Sequence, residues 1–362
     1  MDKAYHYYCI RVLSELAGFP AKDAQTIAFS SQYADDASEH KALKIANVPD
    51  SIDYPRYDGT TFDPVCTAHS AKNWYRKLWK WARFYLKPTV QRQILMVFHF
   101  IPPTAIQGDE APNEFDYVTQ KNSSLANALL ENALESIKNA SPNSDEYEFG
   151  LVKTGLALHT FADTWAHGGF SGRHSSLEND IKNIKIKEGN RFSSVNIWEN
   201  IISYAAPDVG HSEASTIPDK LNTHWKASYS DRRKRPRQIN HDNSQQFMDA
   251  SKTIHKKLSS VAPNESQAWN VFADKLKMAL GKNETWQNSF PEVSWSYSRF
   301  DWREKALCGD TVDWDDYDDE SDFSKLDFKW TGNDLRWFWF HKAAYEQRLF
   351  LAEKIPNAWS NT

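Results

Sequence analysis

His159, Asp163 and His167 are spaced four and four in the stretch Leu158-His159-Thr160-Phe161-Ala162-Asp163-Thr164-Trp165-Ala166-His167. On a helix this spacing stacks the three side chains on one face in successive turns. Imidazole and carboxylate are preferred ligands of zinc and similar cations. The neighbouring Leu156, Ala157, Leu158, Phe161, Ala162, Trp165 and Ala166 are apolar, which predicts a buried helix. An unpaired polar group in such a place costs roughly 2–7 kcal/mol. Hydrogen bonds to core neighbours would satisfy one such residue; a cation would satisfy all three together. Three donors do not complete a site, so further ligands must come from elsewhere in the chain.

The other histidines and acids supply candidates. His6 lies near the start of the first predicted helix, and Asp35 and Asp36 end the second. His99 sits inside the apolar run Ile94-Leu95-Met96-Val97-Phe98-His99-Phe100-Ile101, where an unpaired imidazole is costly. His211 follows Gly210 in a turn, with Glu213 and Asp219 just downstream. His69, His174, His224, His241, His255 and His341, taken singly, read as surface or locally satisfied residues.

Helices must position these groups. Hydrophobic periodicity predicts helix over 4–17, 21–40, 68–86, 120–139, 146–167, 193–206, 243–280 and 333–354. The long central helix begins near Asp145 and stops at Gly168-Gly169. Residues 47–66 and 171–192 read as loop, the latter with a short helix, and 94–101 as either strand or helix end. A basic run, Arg232-Arg233-Lys234-Arg235-Pro236-Arg237, and an acidic run, Asp310 to Asp322, read as solvated loops. The basic run could alternatively hold a phosphate, and the acidic run lacks the pattern of a calcium loop.

With 40% hydrophobic and 25% charged residues the chain is expected to fold and stay soluble. A formal net charge of −5 argues against general or stable binding to double-stranded DNA. Cys9, Cys66 and Cys308 suggest neither a disulfide framework nor a cysteine zinc motif. The N-terminal residues do not read as a signal peptide, so a cytoplasmic location, or export by a signal-independent route, is expected. Serine and cysteine nucleophile motifs, P-loops and dinucleotide fingerprints are absent.

The order His6, Asp35/Asp36, a middle histidine, His159-x-x-x-Asp163, His167 and His211 with a later carboxylate resembles the zinc-dependent phospholipase C and S1-P1 nuclease superfamily. The segments His6-Tyr7-Tyr8, Gln32 to Asp36, Phe98-His99-Phe100, Gly155 to Phe170, Gly210-His211 and Pro218-Asp219 look more closely like a bacterial family of unassigned function, over about residues 5 to 255. The resemblance implies an all-α multi-helix bundle, with residues 1–285 as the catalytic domain and 286–362 as an aromatic and acidic C-terminal extension packed on it, which the same domain could include. It also implies two or three zinc ions, with manganese or iron as alternatives. His159 would ligate one ion and Asp163 would bridge two. Asp36, with Asp35 as rival, would join His99, with His69 as rival. His167, His211 and Asp219, with Glu213 as rival, would form another site, and His6 a third. The superfamily also uses the amine and carbonyl of an N-terminal Trp, whereas this chain begins Met1-Asp2-Lys3, so a two-ion site is an alternative.

The implied activity is metal-assisted phosphoester hydrolysis of a phospholipid, with contact to a membrane surface, or of a nucleotide. Whichever of Asp35 and Asp36 does not bind metal would position or deprotonate the water. Three alternatives stand beside a phospholipase C-like enzyme: a single-strand nuclease or nucleotidase, a helical phosphohydrolase using His241-Asp242, and a metal-stabilised binding or toxin-scaffold protein without catalysis.

Overall fold

The computed structural model describes residues 1–39, 41–68, 86–106, 116–195, 209–229, 238–281, 286–293, 295–310 and 326–356. The predicted helix at 68–86, most of that at 193–206, His69 and nearly all of both charge runs lie outside the described residues.

The molecule is built around one helix that has no solvent face over its C-terminal half. Seven α-helices of seven or more residues stand among the described residues: α1 (Ile10–Leu16), α2 (Ala21–Asp36), α3 (Ser124–Lys138), α4 (Asp145–Ala166), α5 (Asn243–Ser259), α6 (Trp269–Gly281) and α7 (Arg336–Lys354). The Ser144 side chain caps α4 by accepting from Tyr147 N, and Asp145, Glu146 and Glu148 complement the positive end of the helix. Every residue of α4 from Thr154 to Ala166 is buried. α2, α3, α5 and α7 surround it. Gly155 allows the approach of α2, since a Cβ there would fall 2.2 Å from Ile27 O. On α7, Gln347 Nε2 donates to Thr160 Oγ1 and Val97 O, each at 2.9 Å, which ties the last helix to the turn carrying His159.

Strands complete the fold, and they overturn the all-α expectation. About 53% of the structure is helical and 14% is strand, in two four-stranded sheets, which makes the class mixed α/β. The strands are β1 (Leu43–Ala46), β2 (Thr61–Phe62), β3 (Ile181–Glu188), β4 (Arg191–Ser194), β5 (His224–Tyr229), β6 (Gln238–Asp242), β7 (Leu307–Gly309) and β8 (Asp327–Trp330). One sheet has the order β2-β1-β8-β7, with β1 and β8 parallel; the other, β4-β3-β5-β6, is antiparallel throughout. Their sequence signal is weak for a physical reason. β2 and β7 are only two and three residues long. In β3 the register shifts between Lys182 and Lys185, so Ile181, Ile184 and Ile186 lose the strict alternation that marks a strand.

Two further expectations change. The helix predicted over 243–280 is two helices, α5 and α6, interrupted between Ser259 and Trp269. The ambiguous run at 94–101 is neither strand nor ordinary helix, because Gln91–His99 forms a π-helix. The Trp-rich C-terminal residues join the main core: Trp302 stacks on Phe29 at 4.2 Å, and Trp337 Nε1 donates to the Tyr33 hydroxyl at 3.2 Å. A second, smaller core lies under the β3–β6 sheet, where Phe100, Phe170, Val209, Trp225 and Tyr229 meet.

Candidate metal centre

The site lies where the two cores meet, and six chain segments feed it. His6 comes from the π-helical Ala4–Cys9, Asp35 from the last turn of α2 and His99 from the end of the π-helix Gln91–His99. Single π turns recur at functional sites because they re-aim side chains within a helix. His159 and Asp163 lie on α4, and His167 is its C-cap. His211 and Asp219 flank two short 3-10 turns, Ser212–Ala214 and Ile217–Asp219. Gly210 brings His211 in at φ 57°, where a Cβ would strike the Phe100 ring at 2.5 Å. That ring stacks on His167 at 4.5 Å.

Three groups of donor atoms result, each within 4.8 Å of one another: His6, His159 and Asp163; Asp35, His99 and His159; and His167, His211 and Asp219. Asp163 is the hub. Its Oδ1 lies 3.0 Å from His6 Nε2, and its Oδ2 lies 3.3 Å from both His99 Nδ1 and His159 Nε2. Asp35 Oδ1 is 3.6 Å from His159 Nε2, and the two imidazole nitrogens His159 Nε2 and His99 Nδ1 are 3.2 Å apart. Asp219 faces His167 Nε2 at 3.0 Å and His211 Nε2 at 3.5 Å.

The outer nitrogens decide what these contacts mean. His99 Nε2 donates to Thr67 O at 2.8 Å, His167 Nδ1 to His99 O at 2.7 Å, and His211 Nδ1 to Ser215 O at 2.9 Å. A neutral imidazole carries one N–H, so in the neutral form each of these rings turns an unprotonated nitrogen toward the cluster. Those nitrogens face carboxylate oxygens, acceptor against acceptor. A cation between them resolves the conflict, and a backbone carbonyl behind the ring is the usual support of a metal-bound histidine. The donor set therefore fits zinc and similar ions. His6 and His159 stack at 4.0 Å, and the Nδ1 of each is buried without a hydrogen-bond partner among the described residues. Two stacked, buried rings cannot both carry charge without cost.

The electrostatics divide the imidazoles. Burial works downward on His99, but Asp163 and Asp35 outweigh it and raise that ring above its ordinary value. Burial, together with His159, pushes His6 well below the usual histidine range. Burial takes His211 down to about 4. For Asp163 burial works upward, but His167, the Met1 amine, His159 and His6 outweigh it and hold the carboxyl well below its ordinary value. Burial raises Asp35. The side chains of Asp35, Asp219, His211 and His99 are 32%, 21%, 15% and 12% exposed, whereas His6, His159 and Asp163 are at most 1% exposed. Solvent thus reaches the two outer groups and not the innermost one.

Asp36, the sequence candidate beside Asp35, is turned away from these groups: its Oδ2 accepts from Gln32 Nε2 and the Tyr297 hydroxyl. Glu213, the rival to Asp219, accepts from the Ile181 backbone N–H of β3. His241 and Asp242 lie at the end of β6 and belong to none of the three groups. One group was not foreseen as a neighbour. The Met1 amine sits 2.7 Å from Asp163 and 3.0 Å from Asp219; burial opposes its charge, but Asp163, Asp219 and Asp35 raise it to about 11. The resemblance pointed to an N-terminal amine, but through a Trp where this chain has Met1.

The fold and site define a mixed α/β protein with a buried histidine–carboxylate donor cluster around one helix. The chain belongs to a protein family of unknown function, DUF6765, whose model matches residues 1–355. No curated protein and no solved structure matches it.

Proposed function

We propose that the chain is a metal-dependent phosphoester hydrolase, a phospholipase C-like phosphodiesterase with two or three zinc ions. The observation that carries this reading is the set of outer N–H groups on His99, His167 and His211, each committed to a backbone carbonyl so that the inner nitrogen is free to ligate. His159 and Asp163 would be shared between neighbouring ions. His6, His99, His167, His211 and Asp219 would complete the sets. Clustered ions of this kind lower the pKa of a bound water to about 7 and offset charge on phosphoryl oxygens.

The chain's own groups supply the remaining work. Asp35, at the solvent edge and raised by burial, suits a carboxylate that accepts a proton from the attacking water. Asp36 acts behind it, held by Tyr297 and Gln32, as a positioning group. The exposure of Asp35, Asp219 and His211 leaves room for substrate at the outer groups. The full burial of His6, His159 and Asp163 favours a different role for an ion in the innermost group, which would hold elements together.

Two measurements test the proposal. Elemental analysis of protein purified without a nickel column should find two or three transition-metal ions per chain, and finding none would refute it. Hydrolysis should then be compared on a chromogenic phosphodiester, phosphatidylcholine micelles and single-stranded DNA, with Asp35→Asn as the control. Activity on DNA alone would move the assignment to a nuclease. Bound metal with no hydrolysis of any of the three would leave a metal-stabilised scaffold.

A further inference from the structure

Just past His167 the chain runs through Gly168 and Gly169 along a cleft of about 400 Å³ that contains none of the metal-site donors. Its walls are the segment Thr119–Lys121, the α4 residue Trp165, Tyr229 at the end of β5 and Gln238–His241 of β6. In a chain with a net charge of −5, none of the described residues lining this cleft is an acid, and the one full charge among them is Lys121. Gln120 and Gln246 also line it and carry amide groups. Trp165 and Ile239 give an apolar side.

The walls are held before any ligand arrives. Tyr229 Oη donates to Gly169 O at 2.8 Å. Gly169 N donates to Thr119 O at 2.9 Å, and Thr119 N to Phe170 O at 2.8 Å. Gly169 sits at φ +97°, and a Cβ on it would fall 2.5 Å from Tyr229 Oη, so the wall is closed at its tightest point. Two polar atoms among these residues are left over. His241 Nδ1 and Thr119 Oγ1 are buried with no hydrogen-bond partner among the described residues. Buried polar atoms without partners mark an incomplete environment. Burial also takes His241 down to about 4, with Lys121 and His167 adding to the effect.

We propose that this cleft is a second binding site, for a small organic anion whose phosphate or carboxylate head meets Lys121 and the neighbouring N–H donors while its apolar body lies against Trp165 and Ile239. A lone ammonium with amide donors and no opposing carboxylate selects a negative head. A volume of this size fits a small molecule rather than a bare ion. The site shares no residue with the donor groups, and it borders them where Gly168 follows His167.

Calorimetry on the full-length protein tests it, with phenyl phosphate and benzoate as probes and with the neutral chelator 1,10-phenanthroline present or absent. At least one probe should bind, the chelator should leave its affinity unchanged, and Lys121→Gln should weaken it about tenfold. Lys121 is exposed, so this variant is expected to fold. Loss confined to phenyl phosphate assigns a phosphate ligand, and loss confined to benzoate a carboxylate. Unchanged affinity in Lys121→Gln, no binding of either probe, or binding abolished by the chelator overturns the proposal.

Discussion

At the scale of single residues, Asp163 does more than its neighbours. It touches His6, His99, His159 and His167 with two oxygens while only 1% of its side chain is exposed. Asp163→Asn keeps the shape and removes the charge that opposes a cation. It is expected to lose at least one bound ion per chain and to lower hydrolysis by roughly 100-fold or more, as metal analysis and initial rates would show. His341 offers a residue-scale test away from the donor cluster. Burial lowers its pKa to about 4, and its Nε2 is buried with no partner among the described residues. The unfolded imidazole, near its ordinary 6.5, takes up a proton first as pH falls. The stability due to the neutral ring is therefore complete above pH 6.5 and is lost as pH falls toward 4, by on the order of 3 kcal/mol. Urea midpoints should show that part of the acid destabilisation missing in His341→Phe.

At the scale of elements, the approach of α2 to α4 sets the distance between Asp35 and His159. Gly155 sits one turn before His159, and Ser30 Oγ donates to Val152 O at 2.6 Å across the same contact. Gly155→Ala would force a methyl against Ile27 O and the Ser30 side chain. We expect about 1–3 kcal/mol of destabilisation, read as a lower Tm, together with weaker metal retention. Ala at a surface helix position would instead stabilise. The elements carrying the site were legible in unequal measure. Helices α3 and α4 show clear periodicity and capping serines, so their ranges follow closely from sequence. The sheets did not. Short strands, and a bulge that spaces Ile181 and Ile184 three apart, remove the alternation on which such a reading depends.

At the scale of the molecule, the donor cluster joins two hydrophobic cores. His167, His211 and Asp219 lie beside the core under the β3–β6 sheet, through Phe100 and Phe170, while His6, Asp35 and His159 belong to elements of the helical core. An ion bound to the folded state alone stabilises it, by about 2.7 kcal/mol at a free concentration 100 times its Kd. Chelation should therefore lower Tm. It should also speed amide exchange in residues 209–229 and 238–242 more than in α2 and α4, as measured by hydrogen exchange with mass spectrometry. Uniform acceleration throughout would mean that the ions do not join the two parts.

The spacing of His159, Asp163 and His167 was determined locally, because helical geometry alone places residues four apart on one face. The burial of that face was equally readable, since Phe161, Ala162, Trp165 and Ala166 between them are apolar. Tertiary structure decided the rest. Asp35 and Asp36 are adjacent, and only the end of α2 and the Tyr297 hydroxyl determine which one turns inward. Glu213 and Asp219 are separated in the same way by the backbone of β3. Which imidazole nitrogen is free depends on carbonyls of Thr67, His99 and Ser215, contacts that span up to 68 residues. Residue type names the chemistry a side chain can perform; for His99 and His167 the direction in which it is pointed comes from distant backbone, which local sequence does not encode.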